Sequence, residues 1–86
     1  MKKQGFKREG ETLIVKEWKC GKGNKVRVTL HDYAGRELFS IREWYRDPET
    51  RTDKPGKRGI SFVTDDFAKV YSGIRRIKRL LDARRQ

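Results

Sequence analysis

KVRVTLHDYAGRELFSIREWY, residues 25–45, decides the fold. Val26, Val28 and Leu30 alternate with Lys25, Arg27, Thr29 and His31. A period of two is that of a strand whose two faces differ in chemistry. The alternation predicts the valine–leucine face buried and the basic face wet. DYAG, residues 32–35, carries a glycine that can take a positive φ, so the chain turns back there. Residues 36–45 return as the antiparallel partner. On that strand Phe39 and Ile41 share one face, and Ser40, Arg42 and Trp44 share the other.

Outward from this hairpin, residues 12–19 (TLIVKEWK) are rich in β-branched residues and read as a strand, followed by the glycine-rich break CGKGN. Residues 46–58 (RDPETRTDKPGKR) hold two prolines, a glycine and charges of both signs, which predicts a loop longer than the usual connection of about 4–6 residues. Residues 59–63 read as a short strand. Thr64 is placed to cap a helix whose first turn carries Asp65 and Asp66. Along that helix Phe67, Val70, Tyr71, Ile74, Ile77 and Leu81 recur at steps of three and four, an apolar stripe on one face. Residues 1–11 read as a flexible basic arm, and residues 12–86 as a single domain. The architecture expected is α+β: a small antiparallel sheet followed by one C-terminal helix.

Composition narrows the function. Hydrophobic residues make up 34% of the 86, against a usual share of about 45–50%. So little apolar area leaves a lone chain marginal, and a second copy is expected to complete the core through the helix stripe. The net charge of +11 calls for a polyanionic partner. No stretch approaches the roughly 18 apolar residues of a membrane span, and the basic N-terminus lacks the apolar segment of a secretory signal. One cysteine, Cys20, and one histidine, His31, supply neither an internal disulfide nor a zinc site, so no metal or cofactor is expected. His31 reads as a surface strand residue and Cys20 as an incidental thiol in a glycine turn.

Lys25 and Arg27 on one strand, Arg36, Arg42 and Trp44 on the next, Tyr33 at the turn and Lys54, Lys57 and Arg58 in the loop interleave cations with rings. Cations hold phosphates, and rings stack on unpaired bases, which a duplex hides. A single strand is therefore the expected ligand. Strand aromatics are also ordinary packing residues and charged strand faces are often merely solvated. RNA is an equally good ligand for stacking and phosphate contacts, so an RNA-binding protein or nucleic-acid chaperone stands as the alternative. A metal-dependent nuclease would need converging carboxylates, whereas Asp32, Glu43, Asp47 and Glu49 are spread over turn, strand and loop. An enzyme is not expected.

DYAGRELFSIREWYRDPE, followed by KPGKRGISF, resembles the single-stranded-DNA-binding transcriptional coactivators of the positive-cofactor-four family and their short prokaryotic relatives. The resemblance runs over roughly residues 25–81. It implies a curved antiparallel sheet of four to five strands, homodimers formed through the helices, and single-stranded DNA bound with little sequence preference across the sheets. It implies that Tyr33 is the first stacking ring and Tyr45 the second, and that Arg36, Arg42, Lys54, Lys57 and Arg58 contact DNA. Strict alternation would instead put Trp44 on the Arg42 face, so both rings remain candidates. The implied partners are transcription or replication proteins. The implied place is the nucleoid-associated cytoplasm of a prokaryote or the nucleus of a eukaryote.

Overall fold

A computed structural model describes residues 7–85. Five strands run as an antiparallel meander in chain order: β1 (Lys7–Glu9), β2 (Thr12–Lys19), β3 (Lys25–Tyr33), β4 (Arg36–Asp47) and β5 (Thr52–Val63). One helix, α1 (Phe67–Arg84), follows. Part of the arm expected over residues 1–11 is strand instead: Lys7–Glu9 pair with β2, the chain turning at Gly10 with φ 62°. Residues 1–6 lie outside the described residues.

Short turns impose the antiparallel order. Ala34 (φ 51°) and Gly35 (φ 81°) form a two-residue turn with positive φ at both centres, the hairpin geometry that matches strand twist. Tyr33 and Arg36 face one another across it. The loop expected over residues 46–58 is not one. β4 continues to Asp47, whose Oδ1 accepts the Glu49 N–H at 2.9 Å and whose backbone oxygen accepts the Arg51 N–H at 2.8 Å, and β5 starts at Thr52. Pro55 and Gly56 lie inside β5. They are tolerated because β5 is an edge strand and because the register slips there: Arg42 pairs with Gly59, but Trp44 pairs with Pro55. Residues 56–58 bulge opposite Glu43.

The helix also starts differently. A 3-10 turn, Thr64–Asp66, precedes α1, and no side chain caps either element. Asp65 and Asp66 still bring negative charge to the positive end of the helix.

The sheet's faces invert the simplest expectation. Arg27, Thr29 and Ser40, predicted wet or shared with the wet face, are the buried polar residues, while Val26, Val28 and Leu30 are only half-buried. The reason is reach. Ile14 and Glu17 from β2, Asp53 from β5 and Trp44 close over the Arg27 face. On the apolar face Phe39 stacks on Phe62 at 5.2 Å and meets Phe67 edge-on at 5.3 Å, but α1 buries no residue of its own. Beyond the half-buried Val70 the helix stripe is exposed within one chain.

Candidate nucleic-acid interface

Two ionic clusters, both invisible without the strand register, set which cations are available. The first is organised by Asp53. Its carboxylate accepts from Arg27 Nη2 at 3.0 Å, Lys25 Nζ at 3.2 Å and Arg46 Nη1 at 3.4 Å, while Arg27 Nε donates to Glu17 at 2.9 Å. The Arg27 guanidinium lies 4.6 Å from the centre of the Trp44 ring, and the residue is 1% exposed. Arg27 is thus a sealed structural cation, which corrects its expected role as a phosphate contact. Lys25 is half-buried and tied to the same carboxylate.

The second cluster gathers around Glu43. It accepts from Asn24 Nδ2 at 3.0 Å and from the Cys20 thiol at 3.5 Å, and the Arg58 guanidinium stands 3.6 Å away. Glu43 so ties the turn between β2 and β3 to the bulge of β5. Burial, then the Glu43 hydrogen bond, pushes the Cys20 thiol up, away from the reactive thiolate. Lys54 is paired with Asp47 at 2.9 Å, which raises the lysine.

Arg42 is half-committed. Nη1 donates to the backbone oxygens of Gly56 and Lys57 at 3.1 and 3.4 Å, and Nη2 donates to Ser61 Oγ at 3.2 Å, so this side chain pins the bulge. Ser61 Oγ and Ser40 Oγ are 2.7 Å apart. Arg42, Trp44, Ser40, Ser61 and His31 line a cleft of about 250 Å³ on this face. β4 keeps unbroken register with β3 through Trp44, so Trp44 shares the cleft face and Tyr45 looks to the other side, near the bulge. Tyr33 and Tyr45 are the exposed rings of the site, at 69% and 42%. Arg36 and Lys57 are exposed cations whose side chains have no acidic partner among the described residues.

Asp53, Glu17 and Arg46 escape the sequence reading as members of one network, since nothing local marks them. Pro55 escapes it as a cleft residue because the sequence reads as loop over more than half of β5, and Ser61 because only the register with β4 sets it opposite Ser40. Among the described residues no three histidine, cysteine or carboxylate groups converge as metal ligands, and no helix is long and apolar enough to cross a membrane.

The clusters carry a pH signature. Burial pushes the Asp53 carboxyl up, but the hydrogen bond and charge of Lys25, with Arg46 and Arg27, outweigh it and hold it low. Hydrogen bonds from Asn24 and Cys20 lower Glu43, and those from Lys54 and the Glu49 N–H lower Asp47. Groups held below their unfolded values confer stability that is complete above the ordinary carboxylate range and disappears as pH falls through the folded values. The urea midpoint is expected to be level from about pH 7 to 5 and to fall steeply below about pH 4, with a shallower fall in Asp53→Asn. A native midpoint unchanged down to about pH 3 would contradict the paired carboxylates.

An open antiparallel sheet with exposed rings and cations at its turns, followed by one long basic helix, defines a class of small nucleic-acid-binding modules. Residues 20–72 match the family described as Transcriptional Coactivator p15 (PC4), and the chain belongs to that family of DNA-binding coactivators. It is 44% identical over 43 residues to the RNA polymerase II transcriptional coactivator SUB1 of Saccharomyces cerevisiae, a match that takes in 50% of this chain and 15% of that protein. The fold is similar to that of a solved bacteriophage T5 homolog of the eukaryotic transcription coactivator PC4, described as implicated in recombination-dependent DNA replication. The TM-score is 0.67 at 21% identity, covering 92% of this chain and 83% of that one.

Proposed function

We propose that the protein binds single-stranded DNA with little sequence preference, as a homodimer serving transcription, replication or repair. The observation that carries this is the pairing of exposed rings with unpaired cations. Tyr33 stands beside Arg36, and Tyr45 stands near Lys57, with Arg58 held on Glu43 close by, whereas the cations deeper in the sheet are already neutralised. Rings take bases and the free cations take phosphates. Trp44 offers a third aromatic surface from the cleft. Lys54, Arg42 and Lys25 add positive field rather than free guanidinium or ammonium groups.

The homodimer is supported by α1. Phe67, Tyr71, Ile74, Ile77 and Leu81 are each near half exposed, with Val70 between them, and Leu80 extends the patch. A second copy is the occupant that shares this chain's concentration and offers a self-complementary stripe.

Tyr33→Ala combined with Tyr45→Ala is expected to weaken single-strand affinity by about 2–6 kcal/mol, two bases at roughly 1–3 each, while unfolding shifts little. Fluorescence titration of native and variant protein with matched DNA and RNA oligomers reads this, with mass measured to count chains. Unchanged single-strand affinity in the variant sinks the stacking mechanism. A lone chain in the native complex sinks the dimer, and RNA displacing DNA from the native protein replaces the ligand.

A further inference from the structure

The side of α1 opposite its apolar stripe takes no part in the function proposed above. At about 100° per residue, Lys69, Ser72, Arg76 and Arg79 fall on the far side of the helix from Phe67, Ile74 and Leu81, with Ala68 and Arg75 at the border. Ala68, Ser72 and Gly73 keep the surface low, and nothing stands within 4 Å of a side chain added at Gly73. Cations rise on either side of this trough. Few are neutralised: Lys69 reaches Asp66 only at 3.9 Å, and the close Lys78–Asp82 pair, at 2.7 Å, lies toward the stripe side of the helix. Arg75 lies 5.8 Å over the Tyr71 ring. Arg76, Arg79, Arg84 and Arg85 have no side-chain partner among the described residues.

We propose that this outer face of α1 is a second nucleic-acid site, one that takes duplex DNA through its phosphates, so that the protein holds an unpaired strand on the sheet and a duplex on the helix. Three features select a duplex. The trough has no ring of its own, since Tyr71 lies on the apolar stripe, stacked on Phe67 with Arg75 at its other side, so unpaired bases would find little to stack on. Phosphates of a duplex are held at fixed spacing along a rod, which a straight row of cations on a helix can follow. A helix about 10–12 Å across also fits a major groove about 12 Å wide. Guanidinium dominates the face, and its planar fork matches phosphate oxygens in pairs. An anionic bilayer is a poorer match: a helix lying in a membrane sinks its apolar stripe, and Lys69, Arg76 and Arg79 would then point away from the lipid.

The test uses the full chain with Lys69, Arg76 and Arg79 all changed to glutamine, which preserves helix propensity. Native protein saturated with an unlabelled single strand is expected still to bind a labelled duplex. The triple variant should bind that duplex on the order of tenfold to a hundredfold more weakly near 0.1 M salt. Its salt slope should be shallower by roughly 2.7, about 0.9 for each phosphate no longer neutralised. Its single-strand affinity, ellipticity and mass should match the native protein. Displacement of the duplex by the single strand, or equal duplex binding by the triple variant, overturns the proposal. So does a variant that loses only binding to anionic vesicles, which would assign the face to lipid. Failure of the sheet reading registers separately, in the tyrosine variants and the single-strand titration.

Discussion

Gly59→Ala is expected to destabilise the protein by about 3–5 kcal/mol, from left-handed strain and forced overpacking together. Gly59 has φ 150°, and an added Cβ would stand 2.5 Å from Arg42 Cα, 2.6 Å from Arg42 Cβ and 2.6 Å from the Ile41 backbone oxygen. Most of these atoms are backbone, so no side-chain rotation relieves the clash. The close approach has a purpose. Gly59 pairs with Arg42 at the point where β5 leaves regular register, and the Arg42 guanidinium reaches across to the bulge carbonyls. Prising the strands apart there would release Lys57 and Arg58 from their place beside Tyr45. Gly35→Ala serves as the control: φ is also positive, at 81°, but nothing lies within 4 Å, so only the backbone strain applies. Urea denaturation of both variants measures the difference. A loss at Gly59 no larger than at Gly35 would show that β5 does not press on β4 as described.

The second large effect is at Arg27. Arg27→Ala is expected to cost about 3–5 kcal/mol, the range for removing one partner of a buried ion pair. The truncation takes the buried guanidinium from between the Glu17 and Asp53 carboxylates and the cation from the Trp44 ring. Arg36→Ala, on an exposed turn, should change stability by less than about 0.5 kcal/mol, yet reduce single-strand affinity and flatten its salt dependence by roughly 0.7. The two arginines thus separate folding from binding. If Arg27→Ala folds with native stability and loses affinity as Arg36→Ala does, Arg27 is a ligand contact after all. The acid limb of the stability curve reports on the same Asp53 network from the carboxylate side.

Much of this protein is legible in its sequence. The alternation in residues 25–31, the glycine turn after Tyr33 and the three-and-four spacing from Phe67 are local patterns, and β3, the β3–β4 hairpin and α1 follow them closely. The apolar stripe on α1 is visible for the same reason. Where expectation fails, it fails on residues whose meaning depends on a neighbour strand. Pro55 and Gly56 look like breakers, and at the centre of a sheet they would be. On an edge strand, at a bulge, they cost no ladder bond and extend β5 well beyond its predicted start.

The sorting of cations shows the same divide. Arg27 and Arg36 read alike in sequence: each is an arginine on a predicted strand, expected to meet phosphate. Charge count, strand period and helix period follow from neighbours in the chain, so composition and spacing suffice for them. Whether a cation is spent or free depends on acids brought up by register. Glu17 is 10 positions from Arg27 and Asp53 is 26 away, on different strands. Desolvation and Coulomb attraction act through space, over a few ångströms, and only the folded sheet sets those distances.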